Sequence, residues 1–376
     1  MIVPSQIYLD FNATAPTRPE VIDAMAEAMR AGGNASSVHG TGRAARGLVE
    51  EARRRVAALV NADAENVVFV GSGTEANNQV LRCAGRPRPI ISAIEHESVL
   101  LARDDAIMAP VHANGMVDLV ALEALLAGTD GAVLVSIMAA NNETGILQPI
   151  ADISRLAHEH GALMHSDAIQ AAGKIPLDMA SWGADFLSLS AHKFGGPQGV
   201  GAVVCRDRSL LDRFVHGGGQ EGGLRAGTEN VAGIAGFGVA AVGAQAGLKQ
   251  FAALGALRDT LERRMAELAP GVVVFGHDQG RLPNTSKIAT PGLSSETQVM
   301  GLDLAGIAIS AGSACAAGRV EAPYVLTAMG VPEQLAVCAV RVSLGWTTTG
   351  DHIDRFMVAW RALYDRAHSR SATAAE

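Results

Sequence analysis

From residue 66 to 205 the chain alternates short apolar runs, rich in β-branched residues, with amphipathic or turn-forming stretches. The runs fall at 66–70, 89–94, 107–112, 131–138, 162–167, 185–190 and 200–205. A short run that is apolar throughout marks a strand covered on both faces, and strands separated by helical segments build βαβ units. The pattern therefore predicts an α/β fold with a seven-stranded, mostly parallel sheet. Upstream, 42–60 repeats apolar residues at helical spacing and predicts an amphipathic helix leading into the first strand. The stretch 231–248 carries little charge and is rich in Gly and Ala. It reads as a small-residue helix buried against the sheet or a subunit interface, with too few bulky apolar side chains to span a membrane. A further amphipathic helix at 254–268 ends at Pro270-Gly271, which sets a domain boundary near residue 250. Beyond it, strands at 272–275, 285–290, 307–310 and 340–344 alternate with helices, as in a smaller α+β domain. A last helix at 351–368 precedes a Ser/Ala-rich tail that is expected to fray.

Composition narrows the function. Lys and Arg total 30 against 38 Asp and Glu, a net charge of −8 spread without long like-charge runs, which argues against nucleic acid as the main partner. Hydrophobic residues make up 48% of the chain, so disorder is excluded for its bulk. The cysteines, 83, 205, 315 and 338, are too scattered for a disulfide framework and form no C-x-x-C pair, which fits a reduced, cytoplasmic setting. The N-terminus, MIVPSQIYLD, lacks a basic segment followed by an apolar one and does not read as a signal peptide.

Three constellations carry chemistry. GSGTEA at 71–76 follows a strand and opens a helix, so backbone N–H groups and the positive helix end face an anion. It reads as a phosphate cup. It also satisfies a dinucleotide fingerprint, with Glu95 as the ribose acid, or serves only as a tight turn capped by Ser72 or Thr74. In ADFLSLSAHKFGGPQGVG, 184–201, an apolar strand ends at Ser190, His192 and Lys193 before a Gly-rich turn. A lysine in an apolar pocket loses proton affinity and becomes a nucleophile toward aldehydes, as a Schiff base requires. In HSDAIQ, 165–170, Asp167 ends a strand and Gln170 follows; an acid there can keep a pyridine nitrogen protonated. A metal site joining His158, His160 and His165 to Asp167 is the weaker reading, because His158 and His160 complement the dipole of a helix ending at Gly161. A phosphate cup, a Schiff-base lysine and a pyridinium acid are the parts that pyridoxal 5'-phosphate needs. A dinucleotide would leave Asp167 and Lys193 without a role.

With these residues in view, the chain resembles cysteine desulfurases of the NifS/IscS type, in the class V aminotransferase group. The ordered motifs are YLDFNATAP (8–16), GNASSVHGTG (33–42), GSGTEANN (71–78), IEHESV (94–99), MAANNETG (138–145), HSDAIQAAGK (165–174), SLSAHKFGGPQGVG (188–201), HGGGQEGGLRAGTEN (216–230), SAGSACAAG (310–318) and RVSLG (341–345). The resemblance implies the fold of type I pyridoxal phosphate enzymes, with a large cofactor-binding domain over 14–250. Residues 1–13 and 251–376 then form a small α+β domain carrying the loop of Cys315.

The same resemblance assigns roles position by position. Lys193 is the Schiff-base lysine, Asp167 the partner of the pyridine nitrogen and Gln170 the donor to the phenolic oxygen. Gly73, Thr74, Ser190 and His192 hold the phosphate, and Thr228 reaches the phosphate of a neighbouring subunit, which implies a homodimer. His96 stacks on the ring and moves protons. Asn142 lies near ring oxygen and substrate, while Arg341 and Asn34 bind the carboxylate of L-cysteine. No resident metal is implied. Cys315, flanked by small residues, is the thiol that takes sulfur as a persulfide, releases alanine and passes the sulfur on. The recipient is an acceptor protein of iron–sulfur cluster or other thio-cofactor assembly, and Cys315 could touch a cluster transiently. Cys83, Cys205 and Cys338 sit in apolar runs as core residues. Alternatives are a class V selenocysteine lyase or aminotransferase and a catalytically silent scaffold. The chain departs from relatives at Ala35, at Ala316 and in its last residues, ALYDRAHSRSATAAE, which do not resemble the tail by which IscS-type enzymes engage their scaffold.

Overall fold

The structure, a computed structural model, describes residues 6–312 and 323–373. Strands, in chain order, are β1 (Ile7–Tyr8), β2 (Val67–Val70), β3 (Arg88–Ser92), β4 (Ile107–Ala109), β5 (Val133–Ser136), β6 (Leu163–Asp167), β7 (Phe186–Ser190), β8 (Gly201–Cys205), β9 (Val273–Val274), β10 (Thr285–Ala289), β11 (Ile307–Ala308) and β12 (Ala339–Ser343). Seven form one sheet in the order β2-β8-β7-β6-β5-β3-β4. Neighbours run parallel from β7 to β4, and β8 alone is reversed, antiparallel to β7 and β2.

Alternation within each strand explains the apolar runs. Val67 and Phe69 of β2 join one apolar core and Val68 and Val70 the other; Val133 and Val135 of β5 face the first, Leu134 the second. Both faces are thus covered, and every position of β2, β5 and β8 is buried. On the first face lie the helices Pro19–Ala31, Gly40–Leu59 and Val231–Ala246. The last is the small-residue stretch, and its glycines set how closely it packs. A Cβ on Gly238 would come within 2.6 Å of Ala52 Cα, and one on Gly236 within 2.7 Å of Met25 Cγ. Among the described residues no single helix is long and apolar enough to cross a membrane.

The C-terminal part has its own apolar core, in which Leu254, Leu261 and Met265 of the helix Leu254–Leu268 meet Phe356 and Trp360 of the helix Gly350–Thr373. Its three-stranded sheet is antiparallel, β12-β10-β9. The strand expected at 307–310 is instead β11, which pairs in parallel with β1. Other strands fall short of their apolar runs. β4 stops at Ala109 because Pro110 has no N–H to donate. The expected fraying after residue 368 is corrected by the helix, which continues to Thr373; no Gly or Pro interrupts it, and Ser369 Oγ donates to Asp365 O at 2.8 Å.

Gly238→Val is expected to lower stability by about 1–3 kcal/mol, since the added methyls meet helix backbone that has no room to yield. A denaturant midpoint equal to that of the unmodified protein would contradict this packing.

Candidate functional site

The parallel strands end on one side of the sheet, and their C-terminal turns deliver side chains to one cavity of about 490 Å³. Its walls include Gly73, Thr74, His96, Asn142, Asp167, Gln170, Ser190, His192, Lys193 and Arg341, so ten expected site residues converge there.

β2 leads through Gly71 and Ser72 into the helix Gly73–Cys83. Ser72 Oγ accepts from Glu75 N at 3.1 Å, an N-cap that holds the helix mouth toward the cavity. Glu75 Oε2 accepts from Gly71 N at 2.8 Å and its carboxylate pairs with Arg225, which stiffens the turn. The first N–H groups of a helix have no intrahelical acceptor, so this end presents donors to an anion. A Cβ on Gly73 would collide with Ile169 Cδ1 and lie 3.2 Å from Ser190 Cβ, so only glycine lets the backbone line this wall.

β6 ends at Asp167. Its Oδ2 accepts from Asn77 Nδ2 at 2.7 Å and its Oδ1 from Ile169 N at 2.9 Å. Burial pushes this carboxyl upward, opposed by those two donors and by the fields of His96 and Lys193. β7 ends in a tight turn, Ala191–Lys193, that turns Lys193 back under the cavity. There Nζ donates to the carbonyls of Asn12 at 2.8 Å and Ala13 at 2.9 Å. His192 Nδ1 lies 3.1 Å from Thr14 Oγ1; burial, with Lys193 and Lys174 nearby, pushes its pKa down to about 4, so the ring is neutral near pH 7. His96 caps the short helix Glu97–Leu100 through Nδ1, which accepts from Ser98 N at 3.1 Å and leaves Nε2 for exchange with a ligand.

The far wall comes from the C-terminal part. Arg341, on β12, is buried; its NH2 group pairs with Asp10 Oδ1 at 2.8 Å and its NH1 group donates to Asn142 O at 3.0 Å. Arg341 Nε and Asn142 Oδ1 are buried without a hydrogen-bond partner, orphaned polar atoms at the wall of a cavity. Asn12 joins the halves: its side chain donates to Thr285 Oγ1 and Asn142 O, and its backbone O accepts from Gln170 Nε2 at 2.9 Å.

Two expected residues lie elsewhere in the chain. Asn34 is exposed and accepts from Ser36 N; Thr228 is exposed and lines a separate small cavity with Gly71 and Arg225. Cys315 and Ala316 lie outside the described residues. Cys205 and Cys338 are buried and Cys83 half-buried, and burial pushes the Cys205 thiol up to about 12, as core residues require. The competing readings separate. Glu95 is sealed in, bonded to Ser92 Oγ and Met138 N, and pushed up to about 8 by burial, so no ribose can reach it. His158 pairs with Asp185, and His165 sits between Ser136 and Ser188, so these rings do not converge with Asp167. Asn12, Asp10, Asn77 and Lys174 were missed as site residues. Asn77 and Lys174 fall inside motifs read for other members and Asp10 and Asn12 inside YLDFNATAP, to which no role was assigned; only Lys174, four residues after Gln170, carried a signal of helix-like spacing toward a known site residue.

Burial pushes His165 from its usual 6.5 to about 3. The unfolded chain then binds a proton between those values that the folded chain does not, so stability falls on acidification through that window. His165→Gln is expected to flatten this fall, by up to about 1.4 kcal/mol per pH unit. Identical pH–stability slopes for both proteins would refute it.

The comparisons with known proteins agree with this geometry. Residues 7–356 match the family described as Aminotransferase class-V. A cysteine desulfurase of Cereibacter sphaeroides is 41% identical over 386 aligned residues, covering 99% of each chain. The X-ray structure of a NifS-like protein from Rickettsia africae superposes with a TM-score of 0.90 at 36% identity, over 96% of this chain and 99% of that one. A structure of SspA in complex with cysteine gives 0.77 at 29% identity, over 90% and 98%. On the breadth of these matches, the chain belongs to the class-V aminotransferase family, and within it to the cysteine desulfurases.

Proposed function

We propose that this protein uses pyridoxal 5'-phosphate to remove sulfur from L-cysteine, giving L-alanine and a persulfide on Cys315. The observation that carries the reading is the convergence, in one cavity, of Lys193, buried Asp167 and a capped helix N-terminus. The residues fit the cofactor. An amine for its aldehyde, a carboxylate for its ring nitrogen, and N–H donors with Thr74, Ser190 and neutral His192 for its phosphate line the same walls. Glycine at 73 lets the first helical turn line this wall against Ile169 and Ser190, where a Cβ would not fit. Once bound, the group supplies an electron sink that lets bonds at the substrate's α and β carbons weaken.

The chain's own side chains do the rest. Asp167, ionised beside a protonated ring nitrogen, repays its burial by pairing with that charge. Gln170 donates to the ring oxygen. Arg341, held by Asp10 and Asn142 O, keeps its Nε for the substrate carboxylate, and the unsatisfied Asn142 Oδ1 is an acceptor for the substrate or ring. Lys193 and His96 exchange protons with the substrate carbons. The Cys315 thiolate attacks the substrate sulfur; the carbon–sulfur bond breaks, sulfur stays on Cys315, and the carbon fragment takes up a proton and leaves as L-alanine. In this reading Thr228 acts across a homodimer, which accounts for its exposed position outside the cavity, and Asn34 is a second contact for the substrate carboxylate. The same reading divides the chain into a large domain, 14–250, and a small one, 1–13 with 251–376, and the separate apolar core of the C-terminal part supports it. The sulfur acceptor is a protein of iron–sulfur or thio-cofactor assembly in the cytoplasm, and SspA's complex with cysteine supports cysteine as substrate.

Incubated with cysteine and no reductant, the wild-type protein is expected to carry a persulfide on Cys315 by mass spectrometry and to release alanine. Cys315→Ala should lose the persulfide and at least about 100-fold in alanine formation. Alanine released at the wild-type rate would rule out sulfur transfer through Cys315 and favour the selenocysteine-lyase alternative. The 2-oxo acid 3-mercaptopyruvate as product would favour transamination, and a protein that cannot take up the cofactor would favour the silent scaffold. Arg341→Lys, which loses the fork that meets a carboxylate, should lower kcat/KM for cysteine by roughly 10–100-fold, mainly through KM. An unchanged KM would remove Arg341 from the substrate site.

A further inference from the structure

Beneath the cavity lies a second lysine that the mechanism does not use. Lys174 is 2% exposed, and its Nζ donates to two neutral amide oxygens, Asn12 Oδ1 at 2.7 Å and Gln170 Oε1 at 2.6 Å. Among the described residues no carboxylate contributes to its electrostatics. Burial, with Lys193 and Arg341 nearby, pushes its amine well below the usual lysine range. A buried amine with no acid partner is costly and would ordinarily be replaced by an apolar residue.

Its bonds suggest what it does. An amide side chain can be turned end for end at little cost, and the two orientations present opposite hydrogen-bonding groups. A donor at 2.6 Å removes that freedom for Gln170, because Oε1 must face Lys174. The NH2 end is then directed to Asn12 O, and one of its two N–H bonds remains for the cavity. Asn12 is fixed in the same way. Its Oδ1 accepts from Lys174 and from Asn284 Nδ2, so its own NH2 end faces Asn142 O and Thr285 Oγ1.

We propose that Lys174 is a positioning residue that locks the Gln170 amide with its donor end toward the cavity, so that Gln170 can only donate to the ring oxygen of the bound cofactor. This rests on the reading that the cavity takes pyridoxal phosphate. Lys174 touches neither cofactor nor substrate and acts through Gln170. The charged groups that act on it, Lys193 and Arg341, and His192, on which it acts in turn, are unchanged in the Lys174 and Gln170 variants compared below.

The test titrates the visible absorption of the holoenzyme against pH. A donor lost from the ring oxygen, once the Gln170 amide is free to turn, leaves the chromophore's proton held more tightly. Lys174→Met is therefore expected to move the titration midpoint up by about one pH unit, tenfold in proton affinity, with kcat reduced and KM little changed. Gln170→Leu should shift it similarly, and the double variant no further than Gln170→Leu alone. A midpoint unchanged in Lys174→Met, or shifts that add in full, would overturn the proposal. Should Lys174→Met fail to fold by circular dichroism, Lys174→Gln carries the comparison. Its shorter side chain cannot reach both oxygens, so the midpoint must again rise, and an unshifted midpoint overturns the proposal. A wild-type protein with no chromophore, or one whose chromophore persists in Lys193→Ala, overturns the cofactor reading itself and the role of Lys174 with it.

Discussion

The site depends on the hydrogen bonds of one buried residue, Asn12. It lies just past β1, where the chain passes from the small parallel sheet into the cavity. Its backbone O accepts from Lys193 and Gln170, which lie in the turns after β7 and β6, and its side chain binds Lys174, Asn284, Thr285 and Asn142 O. Its N donates to Ser343 Oγ on β12. One residue therefore ties the C-terminal ends of two central strands of the large sheet to the sheet of the C-terminal part. In a low-dielectric interior each bond involving a charged group contributes about 1.5–3 kcal/mol, and removing a member strands its partners. Such a network holds catalytic groups in place only if every member is satisfied, and here the unsatisfied atoms are those at the ligand wall, Asn142 Oδ1 and Arg341 Nε.

The electrostatics point the same way. The chain's lysines are Lys174, Lys193, Lys249 and Lys287, other cations being arginine, and three of these lysines lie in or under the cavity region. Lys287 is sealed against Glu143 at 2.9 Å beside Gly312, and Arg341 is paired with Asp10. Lys174 and Lys193 donate to amide and carbonyl oxygens, and the field of Lys193 also reaches the carboxyl of Asp167. A phosphate and a carboxylate are the anions that such a cavity favours, although the protein as a whole carries −8. Local arrangement, and not net charge, sets what this site attracts.

Much of this was legible in the sequence. Seven apolar runs became the seven strands of one sheet because burial on both faces removes polar positions from each. Motifs at strand ends became cavity walls because parallel strands deliver their C-terminal turns to one side. Other features were less legible. Asn12 and Lys174 were overlooked because their roles arise from partners 130 or more residues away or from an amide orientation, neither of which spacing encodes. Strand ends set by a single Pro, and the pairing of β11 with β1, depend on local backbone donors and long-range registry. Asn34 lies outside this chain's cavity, a separation that sequence order cannot reveal.

The central claim is that this cavity holds pyridoxal phosphate as a Schiff base on Lys193, with Lys174 and Lys287 as structural neighbours. Borohydride reduction of the cofactor-loaded protein followed by peptide mass mapping tests it most directly. The account predicts a single reduced adduct on the peptide containing Lys193. An adduct on Lys174 or Lys287, or no adduct in a protein that retains its visible absorption, would contradict it.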